Sequence, residues 1–266
     1  MEEVTDTIKR LQFWGVRNLV IDLVNNGGGS LSLGMKIAQA LSNQKVEMPK
    51  MQFVLSQTWL NEFEELTEKA PNDSEKKLAQ DVFELLESDL KQGKRLSSPL
   101  SAETLVPFAL QPDSDLVKKP FKMVLLVNEM CASMCDIFTG IMKDNGLATV
   151  IGTKTMGAGG NVVAHYSAPN SHLILRQTES LMIRSNGEYI ENNGINPDID
   201  VDVNADISRK YRGLRRAAIQ ELSPRSRRIS KRRAPEGAVI QEDVSASRRN
   251  EIHEEPLLKR KKLTTD

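Results

Sequence analysis

Residues 123–146 read MVLLVNEMCASMCDIFTGIMKDNG. The run MVLLVN is apolar up to its last residue, as expected of a strand covered on both faces. A helical pattern follows, and Gly146 ends it. Between them stands one hydroxyl, Ser133, among small or soft neighbours. A serine before a helix reads first as an N-cap. The same turn also lifts a side chain clear of a sheet and leaves unpaired N–H groups that favour negative charge. A nucleophilic serine needs both that exposure and a base.

The pattern repeats upstream. LVIDLV at 19–24 is a second apolar run, broken by Asp22, and NNGGG at 25–29 is a turn that glycines take easily. SLSLGMKIAQAL then reads as a helix with Leu33, Ile37, Ala40 and Leu41 inward. Strand, glycine turn and helix begin an α/β layered unit. Before it, Val4, Ile8, Leu11 and Trp14 fall on one helical face, closed by Gly15.

Residues 45–118 differ in character. WLNEFEELTEKA and SEKKLAQDVFELLESDLKQG are charged amphipathic helices, the second with Ser74 as its expected N-cap. They read as a helical insertion between core strands, either a solvated helical pair or a lid over substrate. Downstream, ATVIGT is a short strand and KTMGAGGN another glycine turn. NVVAHYSAP, SHLILRQ and ESLMIRSNGEYI follow, the last with an Asn-Gly turn at 186–187.

The 266-residue chain has zero net charge, which hides an asymmetry. Residues 204–266 carry 17 Lys and Arg against 9 Asp and Glu, with one aromatic residue, Tyr211. That composition predicts a basic tail at 204–266 after a core at 1–203, mostly disordered and chiefly so after about 220. Its clusters RRISKRR (227–233) and KRKK (259–262) fit a solvated end better than a nucleic-acid or nuclear-transport module. No apolar run approaches the roughly 18–20 residues that span a bilayer, so no membrane partner is expected. MEEVTDTIKR lacks the order of a signal peptide. Either the protein is intracellular or its start lies upstream. Cys131 and Cys135 are too few for a structural zinc site and badly placed for a disulfide within a helix. They are expected to pack as small thiols.

Three stretches together resemble the tail-specific (C-terminal processing) protease and tricorn-core family. LVIDLVNNGGG is similar to its LILDLRxNxGG element. The stretch from LLVNEMCASMCDIF to GTKTMGAGG is similar to VLVNxxSASASEIxAxALxDxGRAxVxGxxTxGKG. ENNGINPDIDV is similar to G(V/I)xPDxxV. The match covers about 15–40 and 120–203. The resemblance implies an α/β fold, a ClpP/crotonase-like spiral of β-β-α units. It implies cleavage of polypeptide substrates through an acyl-enzyme, with no metal and no organic cofactor.

Carried over by position, the nucleophile is Ser133. Cys131 and Cys135 replace the outer serines, and Asp136 replaces the glutamate. Met134 would give one oxyanion N–H, and Gly28, with Gly29 adjacent, the other. Where many members hold a dyad lysine this chain has Ala158, and Lys154 is not at the matching place. The Ser–His–Glu branch places a glutamate shortly before GVxPD, and here Glu191 stands there. Glu188 and Glu179 fit worse. No histidine matches: His165, His172 and His253 are expected to be structural or surface groups. The base is therefore expected from a missing segment or a partner. The alternative is a non-catalytic protein that binds peptides or apolar ligands on the same fold.

Overall fold

The computed structural model describes residues 1–105, 112–113, 115–167, 170–171, 173–201 and 212–223, with the backbone alone at 163–167. Two sheets organise them. The first is fully parallel, in the order β1 (Asn18–Asp22), β4 (Lys122–Val127), β5 (Ala148–Gly152), β8 (Ile199–Asp200). The second is antiparallel, in the order β3 (Leu100–Ser101), β2 (Lys50–Phe53), β7 (Ile174–Ile183), β6 (Asn161–Ser167).

The unbroken apolar run of β4 has a simple cause. Met123, Leu125 and Val127 face the main core, while Val124 and Leu126 face a second cluster. Alternation by two puts both sets inside because both faces are covered. Helix α2 (Leu31–Ala40) packs against α5 (Met134–Asp144). The other face carries α6 (Arg212–Leu222), whose Leu214 and Ala218 are buried with Val124, Leu126 and Ile151.

Several expectations change here. Residues 212–222, assigned to the tail from composition, form a helix docked on the sheet, because Leu214 and Ala218 lie on one face of an otherwise basic segment. Residues 202–211 and 224–266 lie outside the described residues. The stretch 45–118 holds the expected helices, α3 (Gln57–Lys69) and α4 (Asp73–Lys91), but also β2 and β3. It is thus an integral part of the second sheet. The cap of α4 is Asn72, whose side chain accepts from the Glu75 amide at 2.9 Å, in place of Ser74. Helix α1 (Glu2–Phe13) buries Ile8 but leaves Trp14 69% exposed, since the chain leaves the helix before it.

Cys131 and Cys135 form a disulfide, against the expectation of two thiols. The helix begins only at Met134, so the bond spans the turn into the helix, with Cα atoms 5.2 Å apart.

Two measurements test this architecture. Leu214→Ala should cost about 2–4 kcal/mol in urea unfolding; an unchanged midpoint would remove α6 from the core. A thiol reagent should label neither cysteine in denaturant alone and both once the denatured chain has been reduced; labelling in denaturant without reductant would show free thiols.

Candidate active site

Strands β1, β4 and β5 run parallel, so their C-terminal ends open on one edge, where open α/β sheets bind ligands. The turns leaving them are cross-linked. The Asn25 amide donates to Asn128 Oδ1 at 2.9 Å, and Asn128 Nδ2 donates to Asn25 Oδ1 at 2.8 Å. The Ala132 amide donates to the Asn26 carbonyl at 3.1 Å. The Ser133 amide donates to the Ala158 carbonyl at 3.0 Å. Each of the three turns therefore holds another.

Ser133 occupies the N-cap position of α5 with φ 55° and ψ −124°, but its side chain makes no capping bond. A non-glycine residue there carries backbone strain of about 1–3 kcal/mol. Among the described residues its Oγ has no hydrogen bond. Ser133 lines a cavity of about 630 Å³. The strain and the free hydroxyl set it apart from an ordinary capping serine.

The glycine turn presses against this hydroxyl. A Cβ on Gly28 would lie 2.6 Å from the Ala132 carbonyl oxygen, 2.7 Å from the Met134 amide nitrogen and 2.8 Å from Ser133 Cβ. Glycine is required by that approach and by a φ of 95°. The Gly28 N–H donates to Asn26 Oδ1 at 2.8 Å, so it is already engaged. The amides of Gly29 and Met134 have no partner among the described residues.

Asp136 is fully buried. Its Oδ1 accepts from the Gly157 amide at 2.9 Å and its Oδ2 from the Ala158 amide at 3.0 Å. It braces the segment that follows β5 against α5. Ala158 thus serves through its backbone on both sides, while its methyl lies on the cavity wall. Lys154 is exposed.

Glu191 reaches the same segment from the far end of the fold. Its Oε2 accepts from the Gly160 amide at 2.9 Å and its Oε1 from Thr178 Oγ1 at 3.2 Å. The Asn192 amide donates to the Gly157 carbonyl at 2.7 Å. Glu191 and Ser133 share no hydrogen bond. Residues 158–160 lie between them, bonded to Ser133 at one end and Glu191 at the other. Each carboxylate oxygen keeps a free lone pair for an imidazole N–H. Glu179 is buried, and Glu188 pairs with Arg184 on the surface. His165 lies on β6, where the backbone alone is described; His172 and His253 lie outside the described residues.

The sequence reading missed the clamp between Asn25 and Asn128. Asn25 takes a positive φ of 61°, which the NN before GGG could have signalled. It also missed the far wall of the cavity. Phe53 comes from β2, and Trp59 and Phe63 from α3. Helix α3 is therefore a wall beside the serine, beyond what either expected role described. The alternating Met51, Phe53 of β2 was the available signal.

The fold and this turn define an α/β protein with a strained, unbonded serine at the carboxyl edge of a parallel sheet. Residues 1–201 match the pattern of "Peptidase family S41", and the chain belongs to that family. An uncharacterized protein of Chlamydia muridarum is 31% identical over 220 residues, covering 73% of this chain and 36% of that protein. A probable CtpA-like serine protease of Staphylococcus aureus is 26% identical over 202 residues, covering 75% of this chain and 30% of the protease. The chain spans about a third of the length of these relatives. Among solved structures, mature CPAF superposes with a TM-score of 0.66 at 25% identity, over 88% of this chain and 48% of that one. CPAF complexed with lactacystin gives 0.63 at 26% identity, over 83% and 47%.

Gly28→Ala tests the contact between the turns. It should cost about 1–3 kcal/mol in chemical unfolding and move the Met134 amide signal in an NMR spectrum. An unshifted Met134 amide would show that the turns do not touch.

Proposed function

We propose that this chain carries the nucleophile, oxyanion site and orienting carboxylate of a serine peptidase. The observation that supports it most is Ser133 itself: a strained turn holds an unbonded hydroxyl over a cavity, beside two unpartnered amides. In this reading an imidazole takes the Ser133 proton as Oγ bonds to a peptide carbonyl carbon. The Met134 and Gly29 amides receive the negative oxygen. Engagement of the Gly28 amide by Asn26 favours Gly29 as the second donor, with Gly28 giving the close approach. The C–N bond then breaks, the amine leaves with the proton, and water hydrolyses the acyl-enzyme. Glu191 orients the imidazole and stabilises its positive charge. Alanine at 158 cannot act as the base. The imidazole is assigned to a further segment or a partner, and the substrate to polypeptides.

A second reading, a non-catalytic binder of peptides or apolar ligands, is favoured by Ala158 and by the apolar cavity. Chemical rescue separates the two. A fluorophosphonate probe should label Ser133 slowly in the chain alone and at least about tenfold faster with added imidazole, as general-base catalysis predicts. Glu191→Gln should blunt the rescue. Equal labelling of Ser133→Ala would refute the assignment. Absence of labelling at every imidazole concentration would favour the binder.

A further inference from the structure

The cavity beside Ser133 is lined by Phe53, Trp59 and Phe63 on one side and by Ser133, Met134 and Gly160 on the other. The three rings form one cluster. Phe53 stands edge-on to Trp59, with centroids 4.7 Å apart, and to Phe63, at 5.6 Å. Each ring is at least nine-tenths buried. No charged side chain lies among the described lining residues. The mouth carries Leu66, 48% exposed.

Resting on the peptidase reading, we propose that this cavity selects a large apolar side chain, aromatic above all, on the residue that bears the scissile carbonyl. That residue's Cβ is two bonds from the carbonyl carbon. With the carbonyl oxygen on the Met134 and Gly29 amides, its side chain starts at the cavity wall that those residues form. An occupant needs a polar backbone at one end and an apolar body at the other, which a peptide supplies. A carboxylate or ammonium inside would lose its water and meet no opposite charge among the described lining residues; the unpartnered Trp59 N–H is a single neutral donor that does not offset that loss. An alanine would leave the aromatic wall unfilled. Phe53, Trp59 and Phe63 are the specificity-determining residues, and helix α3 is the element that brings two of them.

Trp59 reports on the cavity once Trp14, the other tryptophan, is replaced by Phe. The Ser133→Ala, Trp14→Phe chain is titrated with N-acetylated tripeptides ending in Phe, Ala or Asp, following Trp59 emission. Such peptides place a terminal carboxylate where the scissile carbonyl would lie. The Phe-ended peptide should bind roughly 10- to 100-fold more tightly than the Ala-ended one, and the Asp-ended peptide should bind most weakly. Phe63→Ala should shrink the preference for Phe. Leu66→Lys, at an exposed position that does not threaten folding, should strengthen binding of the Asp-ended peptide at least about fivefold by pairing charges. Equal affinity for all three peptides would overturn the proposal. If rescue labels Ser133 while the peptides bind equally, the selectivity fails and the peptidase reading stands. If the Phe-ended peptide binds tightly while Ser133 stays unlabelled, the cavity assignment stands and catalysis fails.

Discussion

The site depends on the parallel pairing of β1 with β4. Val20 opposite Val124 and Asp22 opposite Leu126 set a register that brings both strand ends to the same edge. The register continues past the sheet, as the Leu23 amide donates to the Leu126 carbonyl. Asn25 then meets Asn128 by two hydrogen bonds, and Asn26 meets Ala132. A slip of one residue would turn each β4 side chain to the other face. It would also separate Gly28 from Met134. Close packing on both β4 faces opposes that slip, so packing energy far from the serine fixes the position of the Gly29 and Met134 amides.

Much of this was legible in the chain. The apolar runs of β1 and β4, the glycine turn and the helix after Ser133 follow from periodicity and from glycine's access to positive φ. Family resemblance then singled out Ser133 from a field where a capping serine is the usual outcome. The amphipathic helices of 57–91 were legible too. What α3 covers was not, because a stripe of Trp59, Leu60 and Phe63 reads the same whether it faces a packed core or an open cavity. The short strands β2 and β3 were hidden for a different reason. Four and two residues carry too little alternation, and β2 finds its partner β7 far downstream, with Lys50 opposite Ile183, while β3 pairs with β2. The disulfide was not legible because a spacing of four suggests one helical turn, where such a bond has poor geometry, whereas Cys131 precedes the helix.

The Ala158 position joins the chemistry to the frame. In a dyad enzyme a lysine here would reach the nucleophile directly. In this chain the residue acts through its peptide group alone. Its carbonyl receives the Ser133 amide and its amide goes to buried Asp136. The side chain can shrink to a methyl because the backbone does the positioning. Two residues on, the Gly160 amide holds Glu191, and a Cβ on Gly160 would sit 3.1 Å from Glu191 Oε2 and 2.3 Å from Thr178 Cγ2. A small segment thus clamps Ser133 on one side and Glu191 on the other.

The strain at Ser133 must be held by its surroundings, and the holding is redundant. Its amide is bonded to Ala158, its carbonyl accepts from the Ile137 amide at 3.1 Å, and Cys131 and Cys135 close a covalent ring across it. Serines at those two positions could restrain the turn only through hydrogen bonds, which exchange with water. A disulfide buried to 0% and 3% exposure does not exchange, and it leaves no polar hydroxyl to satisfy in the core. The pair therefore restrains the turn from within while Asn128 and Asp136 restrain it from outside. A hydroxyl fixed in this way has little freedom to fall back into the capping geometry that would consume it.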